Sequence, residues 1–175
     1  GVATPLIAYW PRVIKDGGKI THQVGHIMDI MATCLDIAGV PYPSNYQGQR
    51  GQPLVGKSLL PIFQGKPRPG HEVLCWQFGS SCAVRKGKWK LVCDYANSRA
   101  GIDYFDEGGD KPKRKSNGDM QWELYDMQAD RTETKDLAEK YPEIVKQMAQ
   151  AWDQWKTNGD KLRMEAVRHL EVGSI

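Results

Sequence analysis

Four histidines, four cysteines and one short basic run are the residues of this 175-residue chain best suited to chemistry. His22 and His26 are four apart, a spacing that lets two imidazoles share a metal on one helix face, but Gly25 interrupts them where a helix would have to begin. That pair, His71 and His169 are therefore read as satisfied or solvated histidines. Cys34, Cys75, Cys82 and Cys93 have no CxxC or Cys/His spacing of a zinc or redox site. Buried or free thiols are expected, with a Cys75 to Cys93 or a Cys82 to Cys93 bridge left open should the compartment be oxidising. Lys111, Lys113, Arg114 and Lys115 sit inside a polar loop. They are either solvated charge or, if the loop overhangs a cleft, a patch that steers an anionic ligand. A GxSxG elbow, a HExxH helix, a P-loop and a GxGxxG turn are all absent, so the residues alone show no nucleophile paired with a base.

The elements that must position these residues follow from periodicity. Pro5 to Trp10 (PLIAYW) is a nearly continuous apolar run and predicts a strand buried on both faces. After the KDGGK turn, Ile27, Ile30, Met31, Cys34, Leu35 and Ala38 recur at helical spacing and predict a core-facing stripe that stops at Gly39 and Pro41. Asp29 falls in the first turn of that helix, where a carboxylate meets unsatisfied amides. Tyr42 to Pro53 reads as a surface loop, and Ser58 to Phe63 as a helical turn.

Glu72 to Phe78, Ser81 to Arg85, Lys88 to Asp94 and Trp122 to Met127 predict four strands, with Lys86-Gly87 as a tight turn. Trp89, Leu91 and Cys93 alternate with Lys88, Lys90 and Val92, the pattern of a half-buried antiparallel strand. Ala96 to Met120 is long, polar and glycine-rich, either an insertion with a local function or a flexible tip. Asp136 and Glu139 have capping-box spacing, Pro142 suits a first helical turn, and Ile144, Met148, Ala151, Trp152 and Trp155 form one apolar stripe. A stop is expected at Asn158-Gly159, with a weaker helical pattern from Lys161 to Val172.

Composition bounds the function classes. The chain is 40% hydrophobic and 26% charged, as in a folded globular protein, with 24 basic against 21 acidic residues and a net charge of +3. That charge is too small and too dispersed to suggest nucleic acid. No apolar run is long enough to span a bilayer, and the start lacks the layout of a signal peptide. A first residue of Gly is expected for a mature or truncated product.

Five segments in order carry a resemblance. They are GVATPLIAYWPRVIKDGGKITHQVGHIMDIMATCLDIAGVPYP, GKSLLPIFQG, AVRKGKWKLV and WELYDMQADRTETKDLAEKYPE, the first containing two of the five. Together they resemble the C-terminal portion of the sulfatase family, of the alkaline phosphatase superfamily, with its pattern EGG..P...WP, D..PT.LDLAG, G.SL.P...G, R.G.WKL and LYDL..DP.E..NLA. The likeness covers about Gly1 to Trp155. It implies hydrolysis of a sulfate ester by a formylglycine made from Cys or Ser in CxPxR or SxPxR, with a divalent cation, usually calcium, neutralising the sulfate. Neither motif occurs in this chain, and no DNG or DDxG metal cluster does. The resemblance thus implies that no catalytic residue and no metal ligand lies in this chain, the calcium being bound upstream.

The sequence departs from the pattern in two places. Ala32 replaces the Pro of D..PT, which restores a backbone donor and leaves the fold undisturbed. QFGSSC, Gln77 to Cys82, stands where many bacterial relatives resemble HEGN, and Phe78 aligns with the His. Gln77 and Phe78 join Lys111, Lys113, Arg114 and Lys115 as candidates for the substrate rim, with a different or more apolar leaving group implied by the missing His.

The implied fold is α/β, and α+β within this chain: the end of a large mixed sheet with its helix, then a small four-stranded antiparallel sheet on a long C-terminal helix. Residues 1–70 would be the edge of the large domain, 71–160 the small subdomain and 161–175 a tail. Implied partners are a sulfated small molecule or carbohydrate and the upstream half of the protein, with no nucleic acid and no membrane span, in a secreted or periplasmic setting. Two other readings stand beside this one: a non-catalytic binding or interaction domain, and a phosphatase or phosphonate hydrolase of the same superfamily.

Overall fold

The computed structural model describes residues 4–46, 48–78, 81–94 and 121–172. It divides into two compact units, Gly1–His71 and Glu72–Ile175, each considered by itself.

In the first unit the principal element is helix α1, Met28–Ala38, ended by Gly39 in the left-handed conformation at φ 64. There the amide of Gly39 reaches the Asp36 carbonyl and that of Val40 reaches the Leu35 carbonyl, capping the last turn as the Gly39 and Pro41 signals predict. The buried face is not the predicted one. Asp29, Ala32 and Thr33 are buried, whereas Ile27, Ile30 and Met31 of the expected core stripe are exposed. The residues of this unit that pack on the helix lie on its polar, hydrogen-bonding face, and among the described residues of the unit no element covers the apolar one.

Pro5 to Trp10 is not a strand either. It has no regular structure, and Ile7 and Tyr9 are 91% and 90% exposed. A strand exists only by pairing its amides and carbonyls with a neighbouring strand, and no described strand pairs with this segment. The loop predicted over Tyr42 to Pro53 contains a minimal hairpin of β1, Asn45–Tyr46, with β2, Gln49–Arg50, and a short helix α2 follows at Leu60–Phe63.

The second unit is a sheet on a helix. Strands β3, Leu74–Phe78, β4, Ser81–Lys86, β5, Trp89–Asp94, and β6, Trp122–Asp126, form one antiparallel sheet in chain order. The chain is thus α+β, with the four-stranded sheet the residue pattern implies. Trp89 opposes Lys86 across the Gly87-Lys88 turn, and Gly87 at φ 56 supplies the positive dihedral that a two-residue hairpin requires. Alternation directs Cys82, Val84, Leu91, Cys93 and Leu124 to one face, where Met148 and Trp152 of helix α3, Pro142–Val172, close the core. Trp122 meets Trp152 edge-on at 6.1 Å between ring centroids.

The opposite face of β5 is not simply solvated. Lys90 is only 7% exposed, because its Nζ lies 2.5 Å from Glu133 Oε1 on the loop after β6. Two further expectations fail here. Asp136 does not box the start of α3; its Oδ1 accepts from the amides of Leu124 and Ala138, tying that loop to β6. Nor does Asn158-Gly159 stop α3, which runs on to Val172. A helical glycine costs only about 1 kcal/mol against alanine, which the rest of the helix can absorb.

Candidate functional site

Asp29 is the centre of the densest polar arrangement in the first unit. Its position in the first turn of α1 aims the carboxylate away from the helix, and it is fully buried. Oδ1 accepts from the Lys57 amide at 2.8 Å and the His71 ring Nε2 at 2.7 Å; Oδ2 accepts from the His26 amide at 2.9 Å and Arg68 Nη2 at 2.9 Å. An ionised carboxylate only accepts, so His71 carries its proton on Nε2. Burial pushes the Asp29 carboxyl up, but the Lys57 amide, the His71 ring, the His26 amide and the Arg68 guanidinium overcome it and hold it below the usual range.

The surrounding groups interlock. Arg68 also donates to the carbonyls of Lys57 and Val24, and Lys57 Nζ donates to the Gly70 carbonyl. Thr33 Oγ1 donates to the Asp29 carbonyl and accepts from the Leu59 amide. Segments 23–26, 56–59 and 68–71 are thereby pinned to the first turns of α1. Gly56 makes this possible, because a Cβ there would stand 2.1 Å from the Met28 carbonyl oxygen.

With two donors on each oxygen, Asp29 has filled its acceptor sites, and neither a metal ion nor a transferable proton can use them without breaking this set. The arrangement positions backbone and performs no chemistry. Asp29 and His71 stand out in the sequence only as isolated polar residues. Arg68, Lys57 and Thr33 do not stand out in the sequence, since a lone Arg in the Gly65 to Gly70 breaker cluster carries no signal for a buried partner 39 residues away.

Of the sequence-based candidates, Gln77 and Phe78 lie at the C-terminal end of β3, opposite Cys82 and Ser81 of β4, and Phe78 is 80% exposed. Lys111, Lys113, Arg114 and Lys115 lie outside the described residues. His26 is half-buried beside Asp29. Its Nδ1 accepts from the Met28 amide at 3.3 Å, and burial lowers its pKa, Asp29 raising and His71 further lowering it. No group of three His, Cys, Asp or Glu side chains able to hold a metal occurs among the described residues.

The loop from Met127 to Tyr141 is built on aspartates. Asp126 accepts from the amides of Gln128 and Ala129 and from Lys88 Nζ, and Asp130 accepts from the amides of Thr134 and Lys135. A shallow depression here is lined by Asp126, Asp130, Arg131, Thr132, Lys135 and Tyr141. Its carboxylates are committed to holding the loop.

No family model matches the chain. Curated proteins do. An uncharacterized sulfatase of Schizosaccharomyces pombe is 28% identical over 159 residues, covering 87% of this chain and 24% of that protein. An ulvan-active sulfatase of Formosa agariphila is 27% identical over 93% of this chain and 34% of that protein. The N-acetylgalactosamine-6-sulfatase of Canis lupus familiaris is 30% identical over 59% of this chain and 20% of that protein. The chain therefore spans a fifth to a third of the length of these relatives.

The chain is thus similar to sulfatases over 59 to 93% of its length. These matches support the resemblance to the C-terminal portion of a sulfatase.

Proposed function

We propose that the protein to which this chain belongs is a sulfuric ester hydrolase, and that this chain serves it as scaffold and substrate rim. The similarity to sulfatases over 59 to 93% of the chain carries this reading. Two of those relatives are named for ulvan and for N-acetylgalactosamine 6-sulfate, so a sulfated carbohydrate is the first substrate to try. The rim would consist of Gln77 and Phe78, an apolar group where a His is common, and of the basic residues Lys111, Lys113, Arg114 and Lys115.

The residues described here do not fit a calcium centre, because Asp29 has no acceptor site left and no group of three His, Cys, Asp or Glu side chains able to hold a metal occurs among them. Nucleophile and cation would belong to another part of the protein, and the chain alone would turn over no sulfate ester. A secreted or periplasmic setting belongs to the same proposal. No described helix is long and apolar enough to cross a membrane.

The complete protein, assayed on an aryl sulfate and a sulfated sugar with calcium present, should release sulfate. The 175-residue chain under the same conditions should release none. A complete protein that cleaves phosphate or phosphonate esters and leaves sulfate esters intact would overturn the assignment, and calcium-dependent turnover by the chain alone would overturn the division of labour.

A further inference from the structure

We infer that Cys82 and Cys93 are an oxidation site that closes into one intramolecular disulfide during folding, with a low-molecular-weight disulfide of the glutathione type as oxidant. The two residues are direct partners in the register of β4 and β5, and their side chains share one face of the sheet in the α3 core. Directly opposed residues of antiparallel strands have Cα atoms about 4.5–5.5 Å apart, inside the roughly 4.4–6.8 Å span of disulfides. Cys75 of β3 falls outside it.

Cys75 opposes Val84, so it is diagonal to Cys82 at about 7–8 Å, and β4 separates it from Cys93 by two strand spacings of roughly 4.8 Å each. Cys34 belongs to the other compact unit. Of the two bridges left open by the sequence, register therefore retains Cys82 to Cys93 and removes Cys75 to Cys93.

The chemistry balances as thiol–disulfide exchange. One cysteine thiolate attacks a sulfur of glutathione disulfide and expels one glutathione thiolate. The second cysteine attacks the protein sulfur of that mixed disulfide and expels the other. One protein S–S bond forms, one glutathione S–S bond is lost, and the two protons given up by the cysteines end on two glutathione thiols. Timing follows from burial. Cys82 and Cys93 are 5% and 3% exposed, and burial first, with Cys93 alongside, pushes the Cys82 thiol up to about 12. The thiolate that must attack is nearly absent once the core has closed, so exchange occurs while the β4–β5 hairpin is open, and a chain folded in reduced form stays reduced.

To test this, the full chain is unfolded and reduced in urea, then refolded in a glutathione redox buffer. It is trapped with a maleimide in denaturant and digested with trypsin. Arg85, Lys86, Lys88 and Lys90 lie between the two cysteines, so trypsin separates them unless a bridge joins the fragments. The expected result is a Cys82 fragment linked to a Cys93 fragment, several-fold enriched over the same chain oxidised in urea and absent from C82A and C93A. The same map of chain exported to an oxidising periplasm involves no refolding and should show the same link. Maleimide labelling of Cys82 and Cys93 as complete as that of Cys34 in both samples overturns the inference, as does linkage to Cys34 or Cys75 at equal frequency.

Discussion

Asp29 Oδ2 and Arg68 Nη2 lie 2.9 Å apart with both side chains buried, one at the start of α1 and the other in a loop 39 residues on. Removing one member leaves the other's buried charge without this ion-pair partner, while removing both leaves neither charge. Asp29→Leu or Arg68→Met alone should each lower stability by about 3–5 kcal/mol, and the double variant should cost clearly less than their sum. Urea unfolding of the four proteins measures the coupling. Additive losses would show that Arg68 is held by its bonds to the Lys57 and Val24 carbonyls and not by Asp29.

Acidification should weaken the first unit in two stages. His26 has a lowered pKa when folded, so its contribution is complete above the unfolded value of about 6.5 and declines as pH falls through the folded one. Protonating Nδ1 also removes the acceptor of the Met28 amide. Asp29 is likewise depressed, so its contribution holds above about pH 4 and is lost as pH falls further. Thermal melts from pH 8 to 3 should show both declines, and His26→Gln should remove the upper one.

Gly56 should tolerate no side chain. Its φ is not positive, but the Cβ of Gly56→Ala would meet the Met28 carbonyl oxygen at 2.1 Å, and that oxygen belongs to helix backbone that cannot retreat. A loss of about 1–3 kcal/mol is expected. Gly70→Ala, with nothing within 4 Å of its Cβ, is the matched control and should be nearly silent.

The chain by itself should be adhesive. Leu6, Ile7, Tyr9, Ile20, Ile27 and Met31 are all more than half exposed in the first unit, far more apolar surface than scattered single residues account for. Light scattering should show mass rising with concentration, and a dye specific for apolar surface should bind. A monodisperse, dye-silent chain would mean that these side chains are covered in solution.

The basic run should act through charge. In the complete protein, replacing Lys111, Lys113, Arg114 and Lys115 by Ser should slow turnover of a polyanionic sulfated substrate at low salt and spare a small one. The difference should shrink as salt rises past about 0.15 M, where the screening length falls to roughly 8 Å. Equal rates and equal salt dependence for both substrates would remove these residues from the rim.

The second unit was legible in the sequence because its order is local. Alternating Trp89, Leu91 and Cys93, a glycine turn and the Ile144, Met148, Trp152 stripe each state their own period, and nearest-neighbour hairpins assemble them without long-range choices. In the first unit the helix and its Gly39 stop were legible, but the buried face was not. A helix shows which residues share a face but not which face its neighbours cover, so the Ile27, Ile30, Met31 stripe of α1 was placed in the core, while Asp29 and Thr33, on the other face, took the hydrogen bonds of the Lys57 and Leu59 amides. Likewise Pro5 to Trp10 has strand composition but no strand among the described residues to pair with. Tertiary structure alone decided the Asp29 cluster, because its donors come from three separate segments and a buried carboxylate is stable only where all of them converge.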